Sequence, residues 1–253
     1  MKKISVVLAV YNEEDNLSNC LNSIKDLADE IVIVDGGSKD KTLEIARRFD
    51  AKIIQTTNPQ IFHINKNKAI DAASGDWILQ LDADEVVTKE LSKEIKHIVS
   101  EKSEINGYWI SRKNFFLDRF LTKGGQYPDY TLRLYKKGKG RLPGKDVHEQ
   151  AKVEGEVGYL KNDLLHFRDK TFSNYFQRFN RYTDLLSRQL EDGGVKLSPP
   201  SFISFVLIKP FFWFLKSYIR HRGYVDGFPG FVFALFSSLR FPVAYFKLLI
   251  NYD

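Results

Sequence analysis

Gly75-Asp76-Trp77-Ile78-Leu79-Gln80-Leu81-Asp82-Ala83-Asp84-Glu85 is the stretch whose reading decides the fold. Gly75-Asp76 reads as a turn and residues 77–81 as a short buried strand. Three carboxylates follow at its tip. Such groups are costly there unless something pairs them. A hard divalent cation does so, and it brings phosphate oxygens with it. Asp82 and Asp84 are two residues apart, so on an extended strand end they point to the same side. That suits one metal held between protein carboxylates and a diphosphate.

The preceding residues supply the framework. Ile4-Ser5-Val6-Val7-Leu8-Ala9-Val10 is an apolar run of strand length, and from Glu13 to about Lys25 Leu17, Cys20, Leu21 and Ile24 recur at helical spacing. Glu30-Ile31-Val32-Ile33-Val34-Asp35 is a second buried strand. A Gly36-Gly37-Ser38 turn leads to Asp40, a good helix N-cap, with Leu43, Ile45, Ala46 and Phe49 lining the helix. Residues 51–55 form a third strand and residues 63–74 a third helix. The order β-α-β-α-β-α-β predicts a mostly parallel sheet with right-handed crossovers. Ligands of such sheets bind beyond the carboxyl ends of the strands. Tyr11-Asn12-Glu13, Asp35 and the pair Asp82 and Asp84 all fall there, as one site.

The three motifs VVLAVYNEE, IVIVDGGSKDKT and NKAIDAASGDWILQLDADE, in this order and spacing, resemble glycosyltransferase family 2 over about the first 90 residues. The resemblance implies the GT-A fold of nucleotide-diphospho-sugar transferases: a Rossmann-like, mostly parallel sheet flanked by helices. It also implies inverting transfer of a sugar from a nucleotide diphosphate. Tyr127-Pro128-Asp129 through Arg133-Leu134-Tyr135, then Val147-His148-Glu149, and the tail with Val225-Asp226-Gly227, are similar to a narrower branch. That branch includes bacterial lipopolysaccharide-core enzymes that add glucose to a heptose.

The resemblance assigns roles. Asp35 binds the base, its oxygen accepting from a uracil imide N–H. Ala9, Tyr11 and Glu13 flank the base. Lys66 stands where the family often has an arginine on the donor phosphates, and neutralises charge there without a bidentate fork. Asp82 contacts the ribose or the metal, and Asp84 is the direct ligand of a Mn²⁺ or Mg²⁺ ion that offsets the leaving diphosphate. Glu85 orients the following loop. Inversion needs a carboxylate to take a proton from the acceptor hydroxyl. Glu149 is the first candidate and Asp146 the second. His148, between them, is a candidate metal ligand or phosphate contact, and His166 a weaker one. Asp129, with Arg133 beyond it, falls to the acceptor. Residues 171–192 read as a long amphipathic helix whose Arg178, Arg181 and Arg188 are available to an anionic acceptor.

The chain has 253 residues and a net charge of +6, with Cys20 its one cysteine. It is long enough for an α/β domain and an appendage, so the expected division is a catalytic domain over 1–195 and a helical extension over 196–253. Cys20 excludes an internal disulfide and reads as core, which points to a reducing compartment. Residues 201–253 hold six of the basic residues, two acidic ones and sixteen of the 35 aromatics. Lys209, Lys216 and Arg220, spaced by seven and four, fall on one helical face, among Phe, Leu, Ile and Trp. That pattern describes helices lying in a membrane interface with a basic edge toward lipid headgroups. The longest uncharged stretch, from Gly227 to Leu239, is shorter than a spanning helix and holds Pro229 and Gly230. The expected location is thus the cytoplasmic face of the membrane; the resemblance implies a UDP-sugar and a glycan or lipid-linked acceptor as partners. Packing of these helices on protein is the alternative. The aromatics sit in apolar runs rather than between basic residues, which argues against nucleic acid.

Three rival classes share parts of this pattern. Asp82-Ala83-Asp84-Glu85-Val86 resembles the nucleophile motif of haloacid-dehalogenase phosphatases, yet three strands precede it here. A sugar nucleotidyltransferase needs a glycine-rich basic loop after the first strand, and Tyr11-Asn12-Glu13-Glu14 is the opposite. A non-enzymatic binding protein has no need of the acidic edge; the alternative that stays open is a metal-dependent sugar-nucleotide-binding protein or phosphatase without glycosyl transfer. No dinucleotide or P-loop motif occurs in the sequence.

Overall fold

A computed structural model describes residues 2–59, 63–143 and 150–250. Four parallel strands open the chain: β1 (Ile4–Val10), β2 (Glu30–Asp35), β3 (Lys52–Gln55) and β4 (Trp77–Leu81). Helices α1 (Leu17–Ile24), α2 (Thr42–Arg47) and α3 (His63–Ala72) connect them. After β4 come β5 (Glu85–Val87), α4 (Lys89–Ser100), β6 (Gly107–Phe116), β7 (Arg119–Phe120) and β8 (Asp129–Lys136). The short β9 (Gly140–Arg141), β10 (Lys152–Val153) and β11 (Val157–Tyr159) precede β12 (Leu164–Asp169) and α5 (Phe172–Asp192). Two long helices follow, Pro199–Arg220 and Gly227–Ile250.

The main sheet runs β3-β2-β1-β4-β8-β6-β12-β5. It is parallel as far as β4, where helical crossovers return each strand. From there β8 pairs antiparallel to β4, β6 to β8 and β12 to β5. Alternation along the inner strands sorts their side chains into two cores. Val6, Leu8, Ile33, Leu79 and Leu81 join α1 and α4 on one face; Val7, Val32, Val34 and Ile78 join Ala69 and Ile70 of α3 on the other. Both faces are covered, so the strands read as unbroken apolar runs. Each fully buried Val, Leu or Ile contributes about 1.5–3 kcal/mol. Gly75 lets the turn before β4 approach β1: a Cβ there would stand 2.7 Å from Ser5 Oγ and 2.8 Å from Ser5 N.

The chain winds outward from β1 through β2 to β3, then crosses back to place β4 on the other side of β1. The loops after β1 and β4 therefore leave in opposite directions and open a crevice at the carboxyl end of the sheet.

The chain divides into two compact units, Met1–Arg112 with Asp129–Phe167, and Lys113–Pro128 with Arg168–Asp253. The expected boundary at 195/196 falls inside the second unit, between α5 and the Pro199–Arg220 helix. That unit has its own small core of Phe116, Leu121, Tyr175 and Val232, with Phe233 and Phe236 packed on it. Its segment after β7 is tied down by buried Asp226, whose carboxylate accepts from the Thr122 amide (3.0 Å), the Thr122 hydroxyl (2.7 Å) and the Lys123 amide (2.8 Å). The Gly227–Ile250 helix runs straight through Pro229 and Gly230. Both lie in its first turn, where a proline costs no hydrogen bond. Gly230 is required there, since a Cβ would fall 2.0 Å from the Gly223 carbonyl oxygen.

Candidate active site

The loops after β1 and β2 are laced together by reciprocal bonds. The amides of Asn12, Glu13 and Glu14 donate to Ser38 Oγ (2.9 Å), Thr42 Oγ1 (2.7 Å) and Asp40 Oδ2 (3.1 Å). In return the Lys39 amide donates to Asn12 Oδ1 (2.9 Å) and the Lys41 amide to Glu14 Oε2 (3.0 Å). The polar residues of the first two motifs thus build one shelf at the ends of β1 and β2. Asp40 also accepts from the Thr42 amide at 3.0 Å, so it serves the start of α2 as well as the shelf. Asp35 is fully buried and its carboxylate accepts from the amides of Gly37 (3.0 Å) and Ser38 (3.1 Å), fixing the turn. Ala9 is half-buried and Tyr11 exposed beside it.

At the tip of β4 the acidic motif rests on cations. Asp82 Oδ1 pairs with Lys66 of α3 and Asp82 Oδ2 with Arg133 of β8. Arg133 also bonds Glu85 Oε1 at 2.7 Å, and Arg112 of β6 reaches the same oxygen at 3.3 Å and Asp129 at 2.8 Å. Glu85 is fully buried and accepts from the Asp82 amide at 2.9 Å, so it braces the acidic turn that precedes it rather than the following loop. Burial alone would raise the Asp82 carboxyl; Arg133 and Lys66 outweigh that and hold it well below the usual carboxylate range. Burial pushes the Glu13 carboxyl up to about 7, with Asp84, Asp82 and Asp40 adding repulsion against the bond from Asn16. The buried Cys20 thiol faces the Asp82 carbonyl at 3.6 Å.

Asp84 is held by strand β12. Its backbone oxygen accepts from the Phe167 amide at 2.8 Å, and its carboxylate stands 3.3 Å from His166 Nε2. The β12–β5 register, His166 opposite Glu85, brings the imidazole there. Among the described residues no three His, Cys, Asp or Glu side chains form a ready metal cage. Asp84 and His166 nevertheless offer an oxygen and a nitrogen donor side by side. That donor set suits a divalent ion whose remaining positions are filled by diphosphate and water.

The sequence-predicted residues therefore separate into groups. Tyr11, Glu13 and Asp35 meet at the shelf; Lys66, Asp82, Asp129 and Arg133 join through ion pairs; Asp84 meets His166. Lys66 and Arg133 are buried under the carboxylates, at 5% and 6% exposure, rather than held out to solvent. Asp146, His148 and Glu149 lie outside the described residues. Arg112 escaped the sequence reading; its signal was a charge in mid-strand, in Ile110-Ser111-Arg112, where alternation alone explains nothing.

Sheet order, switch-point crevice and acidic strand tip define a GT-A nucleotide-diphospho-sugar transferase. Residues 5–150 match the family described as Glycosyl transferase family 2. The chain belongs to that family and is a glycosyltransferase. It is 29% identical to the lipopolysaccharide core biosynthesis glycosyltransferase LpsC of Rhizobium meliloti, over 92% of this chain and 86% of LpsC. It is 28% identical to an uncharacterized glycosyltransferase of Rickettsia typhi, over 95% of this chain and 85% of that one. Among solved structures, the mannosyltransferase of Pyrobaculum calidifontis in complex with GDP-Man and Mn²⁺ aligns with a TM-score of 0.53 at 15% identity. That match covers 100% of this chain and 88% of the other. Staphylococcus aureus TarS (residues 1–349) in complex with UDP aligns at 0.51 and 18% identity, covering 99% and 89%. At these identities the two structures show the fold.

Proposed function

We propose that the protein transfers a hexose, glucose by its likeness to the core-glycan branch, from a UDP-sugar to a cell-envelope glycan such as lipopolysaccharide core. The acceptor class is supported by the likeness to LpsC over nearly the whole chain. One observation carries the donor site. The shelf at β1 and β2 adjoins a carboxylate cluster whose cations already stand beneath it.

The nucleotide lies over the shelf, with Ala9, Tyr11 and Glu13 beside the base and Asp35 holding the turn it rests on. Asp82, fixed by Lys66 and Arg133, receives the ribose, and Asp84 with His166 holds a divalent cation, His148 being a further candidate. Such an ion, when bound, neutralises the departing diphosphate as a Lewis acid. Lys66 adds positive charge at close range. Glu149 takes the proton of the acceptor hydroxyl, with Asp146 as second candidate, on the face opposite the leaving group. Asp129, oriented by Arg112, positions the acceptor.

The second unit supports a position on the cytoplasmic face of the membrane. Lys209, Lys216 and Arg220 line one groove together with Trp213, Ile219 and Phe241, as the seven-and-four spacing anticipates. Phe212 of the same groove is exposed, as are Phe211 and Phe228 of the two long helices. Exposed apolar area on this scale marks an interaction surface. Both long helices have the length and composition to cross a membrane. The basic edge favours an interfacial position for them.

Thermal shift against UDP-, GDP-, dTDP- and CMP-sugars, with and without Mn²⁺, tests the donor reading. A Mn²⁺-dependent shift with UDP-sugars alone is expected. A shift with another nucleotide class reassigns the base, and none with any removes the donor site. Glu149→Gln is expected to lose turnover and keep donor binding; that result from Asp146→Asn instead would exchange the two.

A further inference from the structure

The first unit carries three aromatic rings that the donor site does not use. Trp109 stands opposite Leu132 and Ser111 opposite Tyr130 across β6 and β8, and β11 sets Tyr159 opposite Trp109. Cross-strand partners share a sheet face, so Trp109, Ser111, Tyr130 and Tyr159 lie together. Trp109 and Tyr159 stack with centroids 6.4 Å apart and planes 19° from parallel. Tyr130 meets Tyr159 edge-on at 5.1 Å and 81°. Trp109 packs inward on the core, while Tyr159 is 63% and Tyr130 42% exposed. The Ser111 hydroxyl of the same row is buried and has no hydrogen-bond partner among the described residues.

Position ties this edge of the sheet to the reaction. Tyr130 directly follows Asp129 at the end of β8 nearest the tip of β4, and Asp129 accepts from Arg112, which reaches Glu85; alternation puts the aromatic row on the sheet face opposite that ion pair. A bulge in the β6–β8 pairing, between Tyr108 and Trp109, shifts the register just before the aromatic row. Bulges of this kind re-aim side chains beside active sites.

We propose that this aromatic face is a sugar subsite, holding a pyranose ring of the acceptor glycan next to the one being extended. The inference rests on the glycosyl-transfer reading above. A pyranose presents a face of weakly positive C–H groups, and aromatic rings present a negative π-face. Two tyrosine rings near a right angle give that sugar a floor and a wall, and their hydroxyls suit its edge. A second copy of the chain is the competing occupant.

The test uses the full chain and, as probe, the core oligosaccharide released from lipopolysaccharide by mild acid. Binding is read by saturation-transfer NMR and titration for the wild type, Tyr159→Ala, Tyr130→Ala and Tyr159→Phe. Each alanine variant is expected to bind the probe about tenfold more weakly and to raise the acceptor KM while kcat holds. Tyr159→Phe keeps binding, because the ring remains. The Mn²⁺-dependent shift with UDP is expected to be the same in all four. No binding by the wild type, or equal binding by the alanine variants, overturns the subsite. So does a wild-type dimer in sedimentation that Tyr159→Ala dissolves. Tyrosine-dependent binding by a wild type that transfers no sugar from any donor keeps the subsite and removes the transfer reading instead.

Discussion

His166 Nε2 lies 3.3 Å from the Asp84 carboxylate, and the Phe167 amide beside it bonds the Asp84 carbonyl. Strand β12 therefore grips the last aspartate of the acidic motif by side chain and by backbone. Asp84→Ala and His166→Ala are each expected to lose the Mn²⁺-dependent part of the UDP thermal shift. Each should slow transfer about a hundredfold or more, since a Lewis acid is worth several kcal/mol at a leaving group. A full Mn²⁺ response in both variants would move the metal elsewhere.

Arg133 is the cation under two carboxylates. Arg133→Met leaves Asp82 with Lys66 alone and Glu85 with the more distant Arg112. Breaking a buried pair from one side costs about 3–5 kcal/mol, which urea unfolding will show. Adding Asp82→Asn is expected to recover part of that loss, because the two changes share one interaction. Strict additivity would mean that the pair does not couple.

Glu13 sets a pH dependence. Its folded carboxyl titrates at about 7, against about 4.3 in an unfolded chain. Between those values the folded state holds a proton that the unfolded state has released. Stability of the protein without metal or nucleotide therefore falls as pH rises through that window. Glu13→Gln removes this loss, so its melting temperature should exceed that of the wild type at pH 8 and match it near pH 4. Parallel curves for the two proteins would show that burial does not penalise Glu13.

The basic groove predicts membrane behaviour. Wild-type protein should bind vesicles containing anionic lipid, more weakly as salt rises. Reversing Lys209, Lys216 and Arg220 to Glu should weaken binding by at least a hundredfold, at about 1 kcal/mol for each charge near the surface. Indifference to both salt and the triple change would indicate that the helices dock on protein.

Strands β1, β2 and β4 were legible because each is covered on both faces and reads as an apolar run. Helix α1 begins at Leu17 rather than Glu13. The amides of Glu13 and Glu14 are taken by Thr42 and Asp40, distant residues that no local pattern reveals. The burial of Lys66 and Arg133 was equally hidden: a lysine on a polar helix and an arginine in a strand acquire their meaning only when β4 and β8 pair. His166 was visible as a histidine after two leucines, but its place beside Asp84 depends on the β12–β5 register. The last helix runs on past the uncharged stretch that ends at Leu239, to Ile250, because Arg240 and Lys247 are charges that a helix carries without breaking.

The Asp226 carboxylate meets the Thr122 amide across 104 positions. A ribosome adding roughly 5–20 residues per second needs on the order of 5–20 s to cover that interval. Throughout it, the Thr122 and Lys123 amides lack the acceptor they have in the finished protein. Synthesis of the chain thus imposes an order on assembly: the parallel strands can close early, while the segment after β7 takes its final form only once the last helices have emerged.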